Sequence, residues 1–259
     1  VEIKCGVEVG RDVTISQLRE QGYKGFYIAI GCQGGRKPNV PGEDAQGVYT
    51  AVEFLKEAGQ KEKFDLGGDV IDAARVSTRC GDGKVSMFCL ESRDEMPASR
   101  EEILEATEEN IAIHNGWGPK EILTENGRAT GVVFKRCTRV YDENHRFAPV
   151  YDEEDTMTVS CAGVIFSVGQ GIVWGDLLKD TKVELRPNGG AIADRLTYQT
   201  AEPDIFVGGD VYTGPKFAID AIAAGREGAI SLHRFVHEHC TLTIGRNRRD
   251  FIELDKDDI

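Results

Sequence analysis

Residues Pro203-Asp204-Ile205-Phe206-Val207-Gly208-Gly209-Asp210 run from an apolar triplet into two glycines and a lone carboxylate, then on to Gly214-Pro215 and Ala221-Ile222-Ala223-Ala224-Gly225. The triplet predicts a short buried strand, and Pro215 suits the first turn of a following helix, where a missing N–H costs nothing. Glycines after a strand let a bulky ligand approach the backbone. An acid at that point accepts hydrogen bonds from sugar-like hydroxyls. The helix start that follows Pro215, with Ala218, offers free N–H groups to an electron-rich ring. This arrangement suits a flavin nucleotide, with Gly209 and Asp210 as its principal contacts. The alternative is an ordinary strand–turn–helix in which Asp210 serves as a helix cap.

A second pattern with nucleotide chemistry lies upstream. A dinucleotide fingerprint needs a strand, a G-x-G-x-x-G/A turn, a helix, and an acid about 20 positions later. Gly67, Gly68 and Asp69, followed by the helix-like Asp72-Ala73-Ala74-Arg75, match part of it, and Glu91 falls near the spacing of the acid. A carboxylate there meets ribose hydroxyls, whereas an arginine prefers a 2′-phosphate. Glu91 therefore points to NADH and Arg93 to NADPH, with the balance on NADH. The match is incomplete. Lys61-Glu62-Lys63-Phe64-Asp65-Leu66 is too polar for the buried strand, and the first glycine is missing.

The elements that must hold these residues are legible as patterns. Residues 23–31 form an apolar run ended by Gly31, the signature of a buried parallel strand. Helical spacing covers 48–58 and closes on Gly59. Residues 84–91 predict a strand. Ser99 and Glu102 form a capping box, so a helix should start at Arg100 and stop near Asn110. From 111 to 170 the period changes to two. Asn126-Gly127 is a two-residue hairpin turn, and residues 142–146 form a second turn, which predicts a small antiparallel meander. Residues 164–170 form another apolar strand, and Gly31 and Gly169 end strands where a cofactor passes close. The last helix, 215–237, places Ala218, Ile222, Ala229, Leu232 and Val236 near one stripe.

Composition narrows the classes. A formal net charge of −13 argues against a general nucleic-acid binder, and no run of 18 apolar residues predicts a membrane span. Seven cysteines without a C-x-x-C pair, and no signal peptide, predict reduced thiols in a cytoplasmic protein. No metal site is expected from this chain alone. His233 and His237 stand four apart on the last helix but lack an accompanying acid. The chain opens on strand-like pieces at Val1-Glu2-Ile3 and reads as a fragment.

Taken together, the order of motifs resembles the glutamate synthase small-subunit family of FAD- and NAD(P)-dependent oxidoreductases. The resemblance is carried by Ile28-Ala29-Ile30-Gly31, Asn39-Val40-Pro41-Gly42-Glu43-Asp44, 67–75, 164–170, Gly208-Gly209-Asp210 and 220–225. Its most specific string is Ser92-Arg93-Asp94-Glu95-Met96-Pro97-Ala98. It implies an α/β chain of two Rossmann-like, three-layer dinucleotide-binding domains, each with a small antiparallel meander. The nicotinamide domain (60–170) would be inserted in a flavin domain (1–59 and 171–259). It further implies FAD, NAD(P)H as hydride donor, and iron–sulfur clusters outside this segment in a partner domain or subunit, alongside an amidotransferase-type large subunit. The family's N-terminal glycine fingerprint and its cysteine clusters are absent, and the loop at Gly67 is short. In such chemistry the cofactor supplies the reactivity, so no catalytic side chain is required. Two other readings stay open. A disulfide-reductase relative is opposed by the missing redox cysteine pair. A cofactor-free structural or regulatory subunit would keep the fold without its loops.

Overall fold

The computed structural model describes residues 1–61, 70–80 and 84–246 of the α/β chain. Gly67, Gly68 and Asp69 lie outside the described residues. The chain divides into two compact units, one of residues 1–34 and 171–259 and one of residues 35–170. The boundary expected at 59/60 falls inside the helix Ala51–Lys61 of the second unit.

The first unit is built around a parallel pair, strand Phe26–Ile28 with strand Ile205–Val207, in the register Phe26↔Ile205, Tyr27↔Phe206 and Ile28↔Val207. Ile205, Phe206 and Val207 are all fully buried. An apolar run without alternation is what a strand covered on both faces requires. Ile15, Ile28, Ala191, Ile205, Val207 and Val211 form the core, with Trp174 and Leu177 packed against it. Ile15 opens the helix Ile15–Glu20, which is fixed by a reciprocal cap. Thr14 Oγ1 accepts from the Gln17 N–H at 3.1 Å, and Gln17 Oε1 accepts from the Thr14 N–H at 2.8 Å. From the same helix, Arg19 makes a bidentate pair with Asp204 and a further bond to Glu202, tying it to the turn before the second strand.

The helix Ala218–Val236 begins later than its proline suggested. Its N-cap is Phe217, so Pro215 stands two residues ahead of the cap and not in the first turn. A separate four-residue helix, Asp210–Thr213, closes on Gly214 (φ 79°, ψ 175°), and the chain is re-aimed there before Phe217 starts the long helix. The inward stripe also differs. Ala224, Gly228 and Ser231 are buried, while Ala218, Ile222 and Ala229 are exposed. Small residues face inward because the strand pair and the Tyr27 ring occupy that side. Of the expected stripe, Leu232 and Val236 do turn inward, part-buried against Gly25.

The second unit holds the parallel pairs Val48–Thr50 with Val164–Phe166, and Ser86–Cys89 with Ala112–Asn115. It also holds a three-stranded antiparallel sheet of Trp117–Glu125, Arg128–Tyr141 and Phe147–Ser160. Asn126 (φ 51°) and Gly127 (φ 78°) both take positive φ, as a primed two-residue hairpin requires. The box at Ser99 forms, and the helix Arg100–Glu108 stops before Asn110 at φ 60°. Val48 begins a strand and not a helix. Thr50 then caps the helix Ala51–Lys61, receiving the Glu53 N–H at 3.4 Å and donating its own N–H to Glu53 at 3.0 Å. The first unit shows no matching meander among its described residues. Its antiparallel pairing among those residues is limited to the single bridges Leu185↔Ala191 and Gln199↔Phe206. Hydrogen-bonded turns fill residues 174–200 instead, including Gly189 N–H to Arg186 and Tyr198 N–H to Asp194.

Candidate cofactor site in the first unit

At the C-terminal ends of the Phe26–Ile28 and Ile205–Val207 strands the chain turns twice in conformations that a side chain resists. Gly31 has φ 65°, and Gly209 has φ 70° with ψ −152°. The Gly208 N–H donates to the Ile28 carbonyl at 3.2 Å, which holds the two turns side by side. Between them and the helix Ala218–Val236 lies a shallow cavity of about 170 Å³, lined by Tyr27, Gly31, Gly209, Asp210, Ala221 and Gly225, together with Ala29 and Gly208.

Asp210 is half-buried and faces this space. A methyl group placed on Gly31 would lie 4.0 Å from its Oδ2 atom and 3.4 Å from Gln33 Nε2. Beneath the turn, the Cys32 thiol points to the Asp210 carbonyl at 3.9 Å. A carboxylate only accepts hydrogen bonds, so the cavity offers an acceptor to a ligand bearing hydroxyl or amine donors.

The glycines around the cavity have different reasons to be there. A methyl on Gly225 would meet nothing within 4 Å, and one on Gly209 only Ala221 at 3.8 Å. These two leave open space. A methyl on Gly208 would collide with the Tyr27 hydroxyl, and one on Gly228 with the Tyr27 ring. Those two make room for a tyrosine. Its hydroxyl donates to the Ala224 carbonyl at 3.0 Å, and burial, with Tyr198 nearby, pushes its pKa up to about 12. The sequence reading credited the glycine pair as a whole to ligand approach. Tyr27, Ala221 and Gly225 were missed as lining residues, although two glycines inside a long helix are a visible signal of close packing or access.

Of the anticipated contacts, Gly31, Gly209 and Asp210 meet at this cavity. Pro215 and Ala218 are exposed and do not line it. Glu91, Arg93 and Gly169 belong to the second unit. There Glu91 follows the strand Ser86–Cys89, and its carbonyl accepts from Asn115 Nδ2 at 3.0 Å. Asn115 also donates to the Cys89 sulfur at 3.2 Å. Burial, with the nearby Glu91 charge adding to it, pushes the Cys89 thiol up to about 11, so it stays protonated at neutral pH. Arg93 is exposed. Gly169 takes φ 109°, and its carbonyl accepts from the Arg36 N–H at 3.1 Å.

A wider depression of about 450 Å³ runs along 128–130 and 160–162. Apart from Arg128 its lining is neutral, and it includes no carboxylate or histidine. Among the described residues no group of three or more His, Cys, Asp or Glu is placed to hold a metal ion, and no helix is long and apolar enough to cross a membrane.

Known proteins resemble this chain over most of its length. A family model described as pyridine nucleotide-disulphide oxidoreductase matches residues 3–225. The chain is 28% identical over 257 residues to the NADP(+)-dependent formate dehydrogenase subunit beta of Moorella thermoacetica, covering 93% of this chain and 36% of that protein. It is 30% identical over 258 residues to the glutamate synthase [NADPH] small chain of Escherichia coli, covering 88% and 54%. It thus spans roughly a third to a half of the curated relatives it matches. The fold aligns with a histidine variant of FprA from Mycobacterium tuberculosis at a TM-score of 0.70 and 17% identity, covering 89% of this chain and 67% of that one.

Proposed function

Because the chain belongs to the pyridine nucleotide-disulphide oxidoreductase family, we propose that it forms part of an FAD-containing oxidoreductase that passes electrons from NAD(P)H to an iron–sulfur partner or subunit. Members of the family are NAD(P)H-dependent flavin enzymes. In this reading the unit of residues 1–34 and 171–259 binds the flavin, and the unit of residues 35–170 binds the nicotinamide nucleotide, both on a Rossmann-like plan. The plan follows that of a glutamate synthase small chain, with an amidotransferase-type large subunit as one candidate partner and a cytoplasmic setting.

The observation that supports the reading best is the single cavity shared by Gly31, Gly209 and Asp210. It suits a flavin on two counts. Its floor is backbone in conformations open to close approach, and its one ionisable carboxylate accepts donors of the kind a ribityl chain carries. Bound FAD would supply the redox chemistry, taking a hydride from the nicotinamide and releasing electrons singly. The chain's own residues do the holding. Asp210 accepts from a ribityl hydroxyl, and Gly31 and Gly209 let the backbone touch the ligand. Glu91 accepts from the ribose of the nicotinamide nucleotide, which favours NADH, while Arg93 offers charge to a 2′-phosphate.

The visible spectrum of the purified full-length protein tests this. Flavin bands near roughly 370 and 450 nm are expected, bleached anaerobically by NADH faster than by NADPH. A colourless, folded protein that takes up no added FAD would refute the flavin assignment and favour a cofactor-free structural or regulatory subunit. Faster bleaching by NADPH would overturn the role of Glu91 alone.

A further inference from the structure

Tyr27 contributes the one phenol to the cavity wall, and three observations say what that phenol can do. The hydroxyl proton is committed, since it donates to the Ala224 carbonyl at 3.0 Å. The oxygen then keeps only acceptor capacity. The ring cannot swing aside, because the Tyr27↔Phe206 pairing fixes its backbone and Gly208 and Gly228 shape a slot that no larger residue would leave open. The side chains around it are those of glycine, alanine and Asp210, with no lysine, arginine or histidine among them.

Two of the residues that line the cavity, Tyr27 and Asp210, carry side-chain acceptor oxygens, and none carries a cation. That combination repels phosphate and suits a neutral group rich in donors. A polyol meets this description. Building on the flavin assignment above, we infer that Tyr27 is a second ligand-contacting residue, its phenolic oxygen accepting a hydrogen bond from a ribityl hydroxyl of the cofactor. Its pKa of about 12 keeps the oxygen neutral across physiological pH, so the contact carries no charge and does not titrate there. The slot pre-orders the side chain, so little rotamer freedom is lost when the ligand arrives.

The test is a cycle between protein and ligand. FAD and FAD analogues lacking a single ribityl hydroxyl are bound to apoprotein prepared from the full-length wild type and from Tyr27→Phe, with dissociation constants read from flavin fluorescence. Tyr27→Phe should weaken FAD about three- to tenfold, the range of one hydrogen bond. For one deoxy analogue the substitution should make no further difference. A role limited to packing would instead weaken FAD and every analogue alike, and that result overturns the inference. So does equal affinity of both proteins for FAD, which leaves the flavin assignment standing. Failure of the wild type to bind any flavin sinks that assignment itself. If Tyr27→Phe does not fold, the analogue series on the wild type and on Asp210→Ala decides. One deoxy analogue must then bind three- to tenfold more weakly than FAD even in an Asp210→Ala background, where Tyr27 is the remaining side-chain acceptor, and equal binding of all analogues there overturns the proposal.

Discussion

Gly225→Ala separates stability from ligand binding at a single atom. Gly225 sits inside the helix Ala218–Val236 and lines the cavity, and a methyl group there would meet nothing within 4 Å. Its φ is not positive, so alanine enters without strain. In the absence of ligand the substitution should stabilise the protein by about 0.5–1 kcal/mol, the difference between glycine and alanine in a helix interior. For a domain of this size that raises Tm by roughly 1–4 °C. Ligand binding should move the other way. The methyl projects into a cavity of about 170 Å³, and overpacking a fitted site costs about 1–3 kcal/mol, or about a five- to 150-fold rise in Kd for FAD. The assays are thermal melting of the apoprotein and equilibrium dialysis of FAD. A variant with a raised Tm and undiminished FAD affinity would show that the ligand does not reach the helix, and the cavity would then be wrongly assigned.

Other predictions rest on different contacts. Asp210→Asn keeps the shape of the side chain but puts an amide where a charged acceptor stood. FAD should then bind about ten- to 100-fold more weakly by dialysis, the range for a charge-assisted bond, with the melting temperature nearly unchanged. Gly228→Ala drives a methyl into the Tyr27 ring, so unlike its neighbour it should destabilise the apoprotein by about 1–2 kcal/mol in denaturant melts, overpacking outweighing helix propensity. Glu53 is held below the ordinary carboxylate range first by the Thr50 N–H, then by the Thr50 hydroxyl, with Lys37 adding a smaller effect. A depressed carboxylate contributes stability above its unfolded pKa of about 4.3, and that contribution is lost as pH falls through the folded value. The stability gap between wild type and Glu53→Gln should accordingly be present at pH 7 and close below about pH 4 in urea melts at several pH values.

Much of the local architecture was legible because it rests on short-range rules. The box at Ser99 and Glu102 and the turn at Asn126-Gly127 each need only a few consecutive residues to specify them. Ile205 to Val207 announced itself because a strand covered on both faces has no polar side to show. The cap at Thr50 was equally local and was missed because the apolar spacing from Val48 onward ran through it. The inward face of the long helix was legible only in part, since Leu232 and Val236 lie against Gly25 as their spacing suggested, whereas Ala224 and Gly228 are buried and Ile222 is exposed. That preference is set by Tyr27, a residue far away in sequence. In the cavity, Gly31, Gly209 and Asp210 could be found from strand ends and turn chemistry. Gly225 stood out as a glycine inside a helix, but its place on the cavity shows only with the helix laid beside the strands.

Tyr27, Gly208 and Gly228 behave as one unit of design, although they come from a strand, a turn and a helix. Enlarging either glycine is tolerated only if the phenol shrinks first, and shrinking the phenol opens a void that one added methyl could partly fill. Relatives of this chain should hence exchange these positions as a set, a tyrosine travelling with two glycines and a small residue at 27 releasing both. An engineer who wishes to reshape this end of the cavity must begin at position 27, since the other two can follow but cannot lead.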